Sequence, residues 1–299
     1  MTQRRQFLSV RNVMELGLLV LLGLVALHYQ TILDDYALAT FHPNPAVGAM
    51  ITRLGLTAQA KAAMYRAQPQ IDGKSAFNTD CQTQPHELEL GCYFRGRIYV
   101  LQIDNDSLAP EMDVVSAHEL LHAEWARLDP TERRTLGGEL EAEYRQLNDP
   151  NLKQRMAEYA QTEPGEQDNE LHSILGTEYA NLSPVLEAHY ASYFTDRSKI
   201  VVEHAEYQAV FDGRSAELAQ DLATIRSEKA RLASLNSQMT GLKDSGQIAA
   251  YNALVPRQNN LVGDINVRIA QYQQAVDEYN ALSKSLDSQI ITDTETSAQ

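Results

Sequence analysis

Basic charge is scarce in this chain. Its 25 lysines and arginines are outnumbered by 40 aspartates and glutamates, giving a formal net charge of −15 over 299 residues. A nucleic-acid partner is excluded on that ground, because neutralising a row of phosphates needs a basic stripe and none is present. Cysteine is scarcer still, with Cys81 and Cys92 alone. Lacking a second cysteine pair, the chain has no zinc ribbon. The two cysteines lie close together in DCQTQPHELELGCYF, a spacing that closes a short loop by a disulfide in an oxidising compartment. In a reducing one they are two unrelated thiols.

One long uncharged run is present. It starts as LGLLVLLGLVAL, Leu16–Leu27, and reaches Leu33 before the first acid. As a helix it is roughly long enough for the ~30 Å hydrocarbon layer of a bilayer. Arg4, Arg5 and Arg11 precede it. The expectation is a basic cytoplasmic tail at 1–13 and a transmembrane anchor at 14–33, with the rest of the chain extracytoplasmic. A cleaved signal peptide shares the basic start and apolar middle, but Ala37-Leu38-Ala39 is a distant cleavage site behind Asp34-Asp35. A buried helix of a soluble domain is the third alternative.

Behind the anchor, 34–50 reads as a linker, stiffened by the prolines of FHPNPAVG. An Ala-rich helical stretch follows, then a strand at Arg97–Ile103 with GCYF as its hairpin partner, turning near Arg95-Gly96. VVSAHELLHAEW, Val114–Trp125, has the spacing of a helix. Asp129-Pro130 and Ser183-Pro184 each pair a capping residue with a proline at the first helical position. Asn148-Asp149-Pro150 and TEPGEQD read as breaks, and the helix after Ser183 is expected to run toward Ile200. From about 204 to 290 apolar residues recur at alternating spacings of three and four on both sides of GLKDSG, with the second stripe starting past Pro256. That predicts an antiparallel coiled-coil hairpin, each arm about 60 Å long. Two core helices of a compact bundle are the alternative. The last residues, 291–299, read as a disordered tail.

His118-Glu119-Leu120-Leu121-His122 carries the chemistry. Residues four apart on a helix share a face, so two imidazoles there can reach one ion. Glu119 stands beside the metal rather than on it, where a carboxylate can deprotonate a bound water. A surface helix with two solvated histidines is the bland alternative.

Over roughly Cys92 to Phe194 the sequence resembles the zincin superfamily of zinc metallopeptidases. One departure is Glu124, two residues after the second histidine, where an apolar residue is usual. The chain lacks the further histidine of metzincins and is more similar to the gluzincin branch, in which a glutamate on a later helix is the third ligand. NELHS, Asn169–Ser173, is the matching segment, although Ile174 stands where many relatives have an acid. The resemblance implies Zn²⁺ held by His118, His122 and Glu170, with Glu119 as general base. Glu178 is an alternative ligand or a support for one, and His172 a third choice. Tyr159, Tyr179 and His189 are candidates for the group that stabilises the oxyanion. The resemblance also suggests that the strand Arg97–Ile103 is an edge that pairs with extended substrate.

The expected fold class is therefore α+β, mostly α: a zincin-like domain over 51–203 with a small β-sheet, an N-terminal transmembrane helix and a C-terminal helical hairpin. The expected function is a membrane-anchored, extracytoplasmic zinc endopeptidase acting on protein or peptide. The hairpin serves there as spacer, docking arm or self-association element. The competing expectation is a cell-envelope scaffold that works through the hairpin and carries a structural or inactive zinc domain.

Overall fold

Local capping chemistry sets five of the described helix starts in the structure, a computed structural model that describes residues 10–82 and 90–288. The readings made for residues 1–9, for 83–89 in the segment between the cysteines and for the 291–299 tail lie outside the described residues. The chain is mostly helical with one small three-stranded sheet, as the α+β expectation requires. It divides into two compact units. The first comprises Met1–Asp72, Gly91–Val100 and Asp113–Ile200, and the second Gly73–Leu90, Leu101–Met112 and Val201–Gln299. The expected 51–203 domain is thus not one continuous stretch.

The first unit begins with helices α1 (Val10–Leu27) and α2 (Tyr29–Thr40). Among the described residues no single helix is long and apolar enough to cross a membrane. The expected span 14–33 breaks at His28, whose φ of −107° and ψ of 11° lie outside the helical region. Leu18–Val25 and Tyr29–Thr40 pass by length and composition only as a pair bent by 65°. The expected linker is also largely helical. Asn44 accepts a hydrogen bond from the Val47 amide at 2.9 Å and Pro45 opens α3 (Pro45–Arg53), so the second of the two prolines read as stiffening a loop in fact starts a helix, while Pro43 stays in the irregular stretch 41–44.

After α4 (Ala58–Ala67) comes β1 (Gln70–Asp72), and β2 (Gly91–Phe94) pairs antiparallel with β3 (Arg97–Leu101). Their turn, Arg95-Gly96, has φ of 52° and 80°, the twist that joins adjacent strands tightly. Strand order is β1-β3-β2. The strand expected at an edge is therefore central, and β2 is an edge. Cys92 in β2 forms a disulfide with Cys81, the last residue of α5 (Lys74–Cys81).

The helix α6 (Glu111–Trp125) is buried on nearly every side, with Leu120 and Leu121 fully enclosed. Two of its buried polar groups are satisfied by α3. Asp113 accepts two hydrogen bonds of 2.6 Å from Arg53, and the Ser116 hydroxyl reaches Met50 Sδ. Asp129 and Glu132 form a reciprocal capping box at the start of α7 (Pro130–Leu147). Asp149 caps α8 (Pro150–Thr162) and Ser183 caps α10 (Pro184–Tyr190), on either side of α9 (Gln167–Glu178). The helix expected to continue toward Ile200 stops at Tyr190. Tyr193 and Phe194 instead bridge to Leu56 and Thr57, and the buried Arg197 guanidinium binds the carbonyls of Leu175, Gly176 and Tyr179.

The second unit carries the hairpin, α11 (Ser198–Asp244) and α12 (Ile248–Leu286). Arg214 pairs with Glu278, Arg268 with Glu228 and Gln258 with Asn236, so the two helices run antiparallel. The second arm starts earlier than its apolar stripe suggests and contains Pro256 within the helix. Ile103, Leu108 and Leu286 form a local core at its base, with Phe211 packed against them.

Candidate metal centre

Two helices build the site. On α6 the four-residue spacing sets the rings of His118 and His122 edge to face, with centroids 4.8 Å apart. Facing them is Glu170 in the first turn of α9, a helix buried continuously from Glu170 to Thr177. Gly176 permits the close approach, since a Cβ there would lie 2.4 Å from Leu121 Cδ1 and 2.7 Å from Tyr190 Cε1. Glu170 Oε1 is 3.5 Å from His122 Nε2, and Oε2 is 3.8 Å from His118 Nε2. One ligand atom from each of the three residues falls within 4.8 Å of the others. Ligands at ~2.0–2.1 Å and tetrahedral angles around one ion are spaced by roughly 3.3–3.4 Å, so this group could hold a metal ion once its ligand atoms close in around it.

The surroundings favour that use. Asn169 Oδ1 lies 2.9 Å from His122 Nδ1, so Nδ1 donates and Nε2 keeps its lone pair toward Glu170. Asn169 is itself held by its amide nitrogen, 3.1 Å from Glu166 Oε2. Burial alone would raise the Glu170 carboxyl, but its interactions with His118 and His122 and the charge of Arg155 outweigh it, leaving the pKa lowered. His118 is the most open of the three, its side chain 17% exposed. Replacing Asn169 by alanine should weaken metal binding by about 10–100-fold, measured by competition with a chromogenic chelator.

Glu119 is buried beside the first histidine and lies under β2. A Cβ at Gly91 would meet Glu119 Oε1 at 2.9 Å and Val115 Cγ1 at 2.3 Å. An edge strand thus crosses directly over this carboxylate at the one residue that lacks a side chain. The sequence reading took GCYF as a hairpin partner only; a glycine opening a strand is its signal of close backbone approach.

The remaining candidates are placed elsewhere. Glu178 accepts from both Arg155 terminal nitrogens, at 2.5 and 2.8 Å, and so is committed to that fork. His172 is fully buried, with Nε2 2.9 Å from His189 Nε2 and its ring stacked on Tyr190. Burial lowers the pKa of His189 to about 4 and also lowers that of His172, so the two form a neutral structural pair. Tyr179 donates to Asp149 at 2.9 Å, tying α9 to the cap of α8. The Tyr159 hydroxyl pKa is raised by burial and, next, by the charge of Glu170.

Glu124, the departure noted in the motif, is buried at the end of α6, 3.3 Å from Arg127. Burial pushes its carboxyl up from about 4.5 to about 7, with Arg127 pulling it down and Asp34 pushing it up. Between those values the folded chain holds a proton that the unfolded chain has released. This group's contribution therefore becomes less favourable as pH rises from 4.5 to 7, by on the order of 3 kcal/mol. Glu124→Gln should match wild type near pH 4.5 and gain stability over it toward pH 8, read from denaturant midpoints at both ends.

No protein-family model matches this chain, and no curated protein or solved structure matches it either.

Proposed function

We propose that this protein is a membrane-anchored, extracytoplasmic zinc endopeptidase of the zincin type. The observation that carries the reading is the convergence of Glu170 on both imidazoles, with a buried glutamate, Glu119, next to His118 in the chain. Two imidazole nitrogens and a carboxylate oxygen suit zinc, and three protein ligands leave a fourth position open, as a hydrolytic site needs. Bound there, zinc supplies a Lewis acid that polarises the peptide carbonyl and acidifies water near neutral pH.

Glu119 takes a proton from the attacking water, whose oxygen bonds to the carbonyl carbon. It then returns that proton to the amide nitrogen as the C–N bond breaks. Tyr159 is the candidate hydrogen-bond donor to the oxyanion, its hydroxyl protonated at neutral pH as an ordinary tyrosine's is. The edge strand β2 pairs with extended substrate through backbone hydrogen bonds, a role the resemblance had suggested for β3. The Cys81–Cys92 disulfide supports an oxidising compartment, and the exposed apolar residues of α1 support a lipid environment.

The long hairpin favours the second reading, a scaffold whose metal site is structural. To separate the two, the full chain is purified in detergent and incubated with an unfolded polypeptide. The peptidase reading expects cleavage that a chelator abolishes and added Zn²⁺ restores. Stoichiometric zinc without cleavage favours the scaffold.

A further inference from the structure

The helix α2 has two faces. Inward, it packs on the first unit through Ala37 and Asp34. Asp34 accepts hydrogen bonds of 2.8 and 2.5 Å from Arg127, just beyond the C-terminal end of the metal-ligand helix α6, and lies 3.7 Å from Arg66 on α4. This fork is mostly buried, with 13% of the Asp34 and 17% of the Arg127 side chain exposed. Outward, Tyr29, Ile32 and Tyr36 are 53%, 48% and 66% exposed. Their spacing of three and then four puts them on one stripe. Asp35 falls about 100° round the helix from Tyr36, off that stripe.

The face is continuous with α1, where Leu18, Leu19, Val20, Leu21, Leu22, Leu24 and Val25 are all exposed. The bend of 65° turns α2 away from the direction of α1. If the exposed apolar residues of α1 enter a bilayer along its normal, α2, bent from α1 by 65°, runs closer to the membrane plane than to that normal. Tyrosines with an apolar body and a polar tip suit the headgroup layer, and an apolar stripe on a helix in that plane enters the acyl boundary. The Arg66 guanidinium, 5.8 Å from the Tyr29 ring centroid, adds a cation where lipid phosphates lie.

We infer that α2 is an interfacial helix whose Tyr29, Ile32 and Tyr36 seat in the outer surface of the bilayer, and that the Asp34–Arg127 fork fixes the metal-bearing helix α6 to that surface. The inference rests on the membrane-anchored reading of α1 and goes beyond it. A flexible tether would let the site face any direction, whereas this arrangement holds it at one height and orientation. Its substrates are then polypeptide segments presented next to the membrane.

The test uses tryptophan fluorescence of the full chain in phosphatidylcholine–phosphatidylglycerol vesicles brominated either near the headgroup or deep in the acyl chain. Trp125 is the chain's single tryptophan and is buried, so wild type supplies the baseline. Tyr36→Trp reports on α2 and Leu22→Trp on α1, both at exposed positions. The inference expects the added fluorescence at 36 to be mostly lost with shallow bromines and less affected by deep ones, with Leu22→Trp quenched more by the deep set. Quenching at 22 without quenching at 36 means that water or protein, a second copy included, covers the face, and overturns the inference while sparing the anchor. Quenching at neither position overturns both.

Discussion

Replacing Glu119 by glutamine is expected to leave the zinc content unchanged and to lower kcat/KM on an unfolded polypeptide by about 10²–10⁴-fold. The amide is close to the carboxylate in size, so the packing under Gly91 is preserved. It cannot take a proton from water, and proton transfer is what this position contributes in the proposed reaction. Single-turnover rates measured alongside metal content separate this from misfolding. Loss of zinc together with activity would make Glu119 a ligand or a packing residue rather than a base.

The second large effect contrasts two glutamates on one helix. Glu170→Ala should weaken zinc binding by more than the ~10–100-fold typical of removing a residue that merely supports a ligand. Glu178→Ala should leave zinc in place. Its cost falls on stability, on the order of 1–2 kcal/mol, because Arg155 loses a two-pronged partner but is itself 37% exposed and can recruit water. Zinc titration and denaturant melts on both variants check the pair of outcomes. Retention of zinc by Glu170→Ala with loss in Glu178→Ala would exchange their roles.

Legibility followed the range of the interactions. Asp129-Pro130, Asp149-Pro150 and Ser183-Pro184 were readable as helix boundaries because a cap and a proline act within one turn. Asn44-Pro45 carries the same chemistry, yet two prolines in a short stretch read as a linker. His118 and His122 were legible as a pair because the helix itself sets their spacing. Glu170 was legible only through its resemblance to a known segment, since nothing local requires α9 to face α6. What brings it there is non-local: Gly176 against Leu121, Arg197 on the carbonyls that end α9, and Asn169 on His122. The place of Gly91 above Glu119 depends likewise on how a strand crosses a helix distant in sequence. The Arg155–Glu178 fork could not be told from two solvated charges.

Zinc-edge X-ray absorption on the full chain loaded with one equivalent of Zn²⁺ probes the coordination directly. The expected spectrum fits two imidazoles and two oxygens at ~2.0–2.1 Å, one oxygen from Glu170 and one from solvent, with the imidazole scattering halved in His122→Ala. A spectrum lacking imidazole scattering, or one unchanged by that substitution, would contradict the assignment of this site.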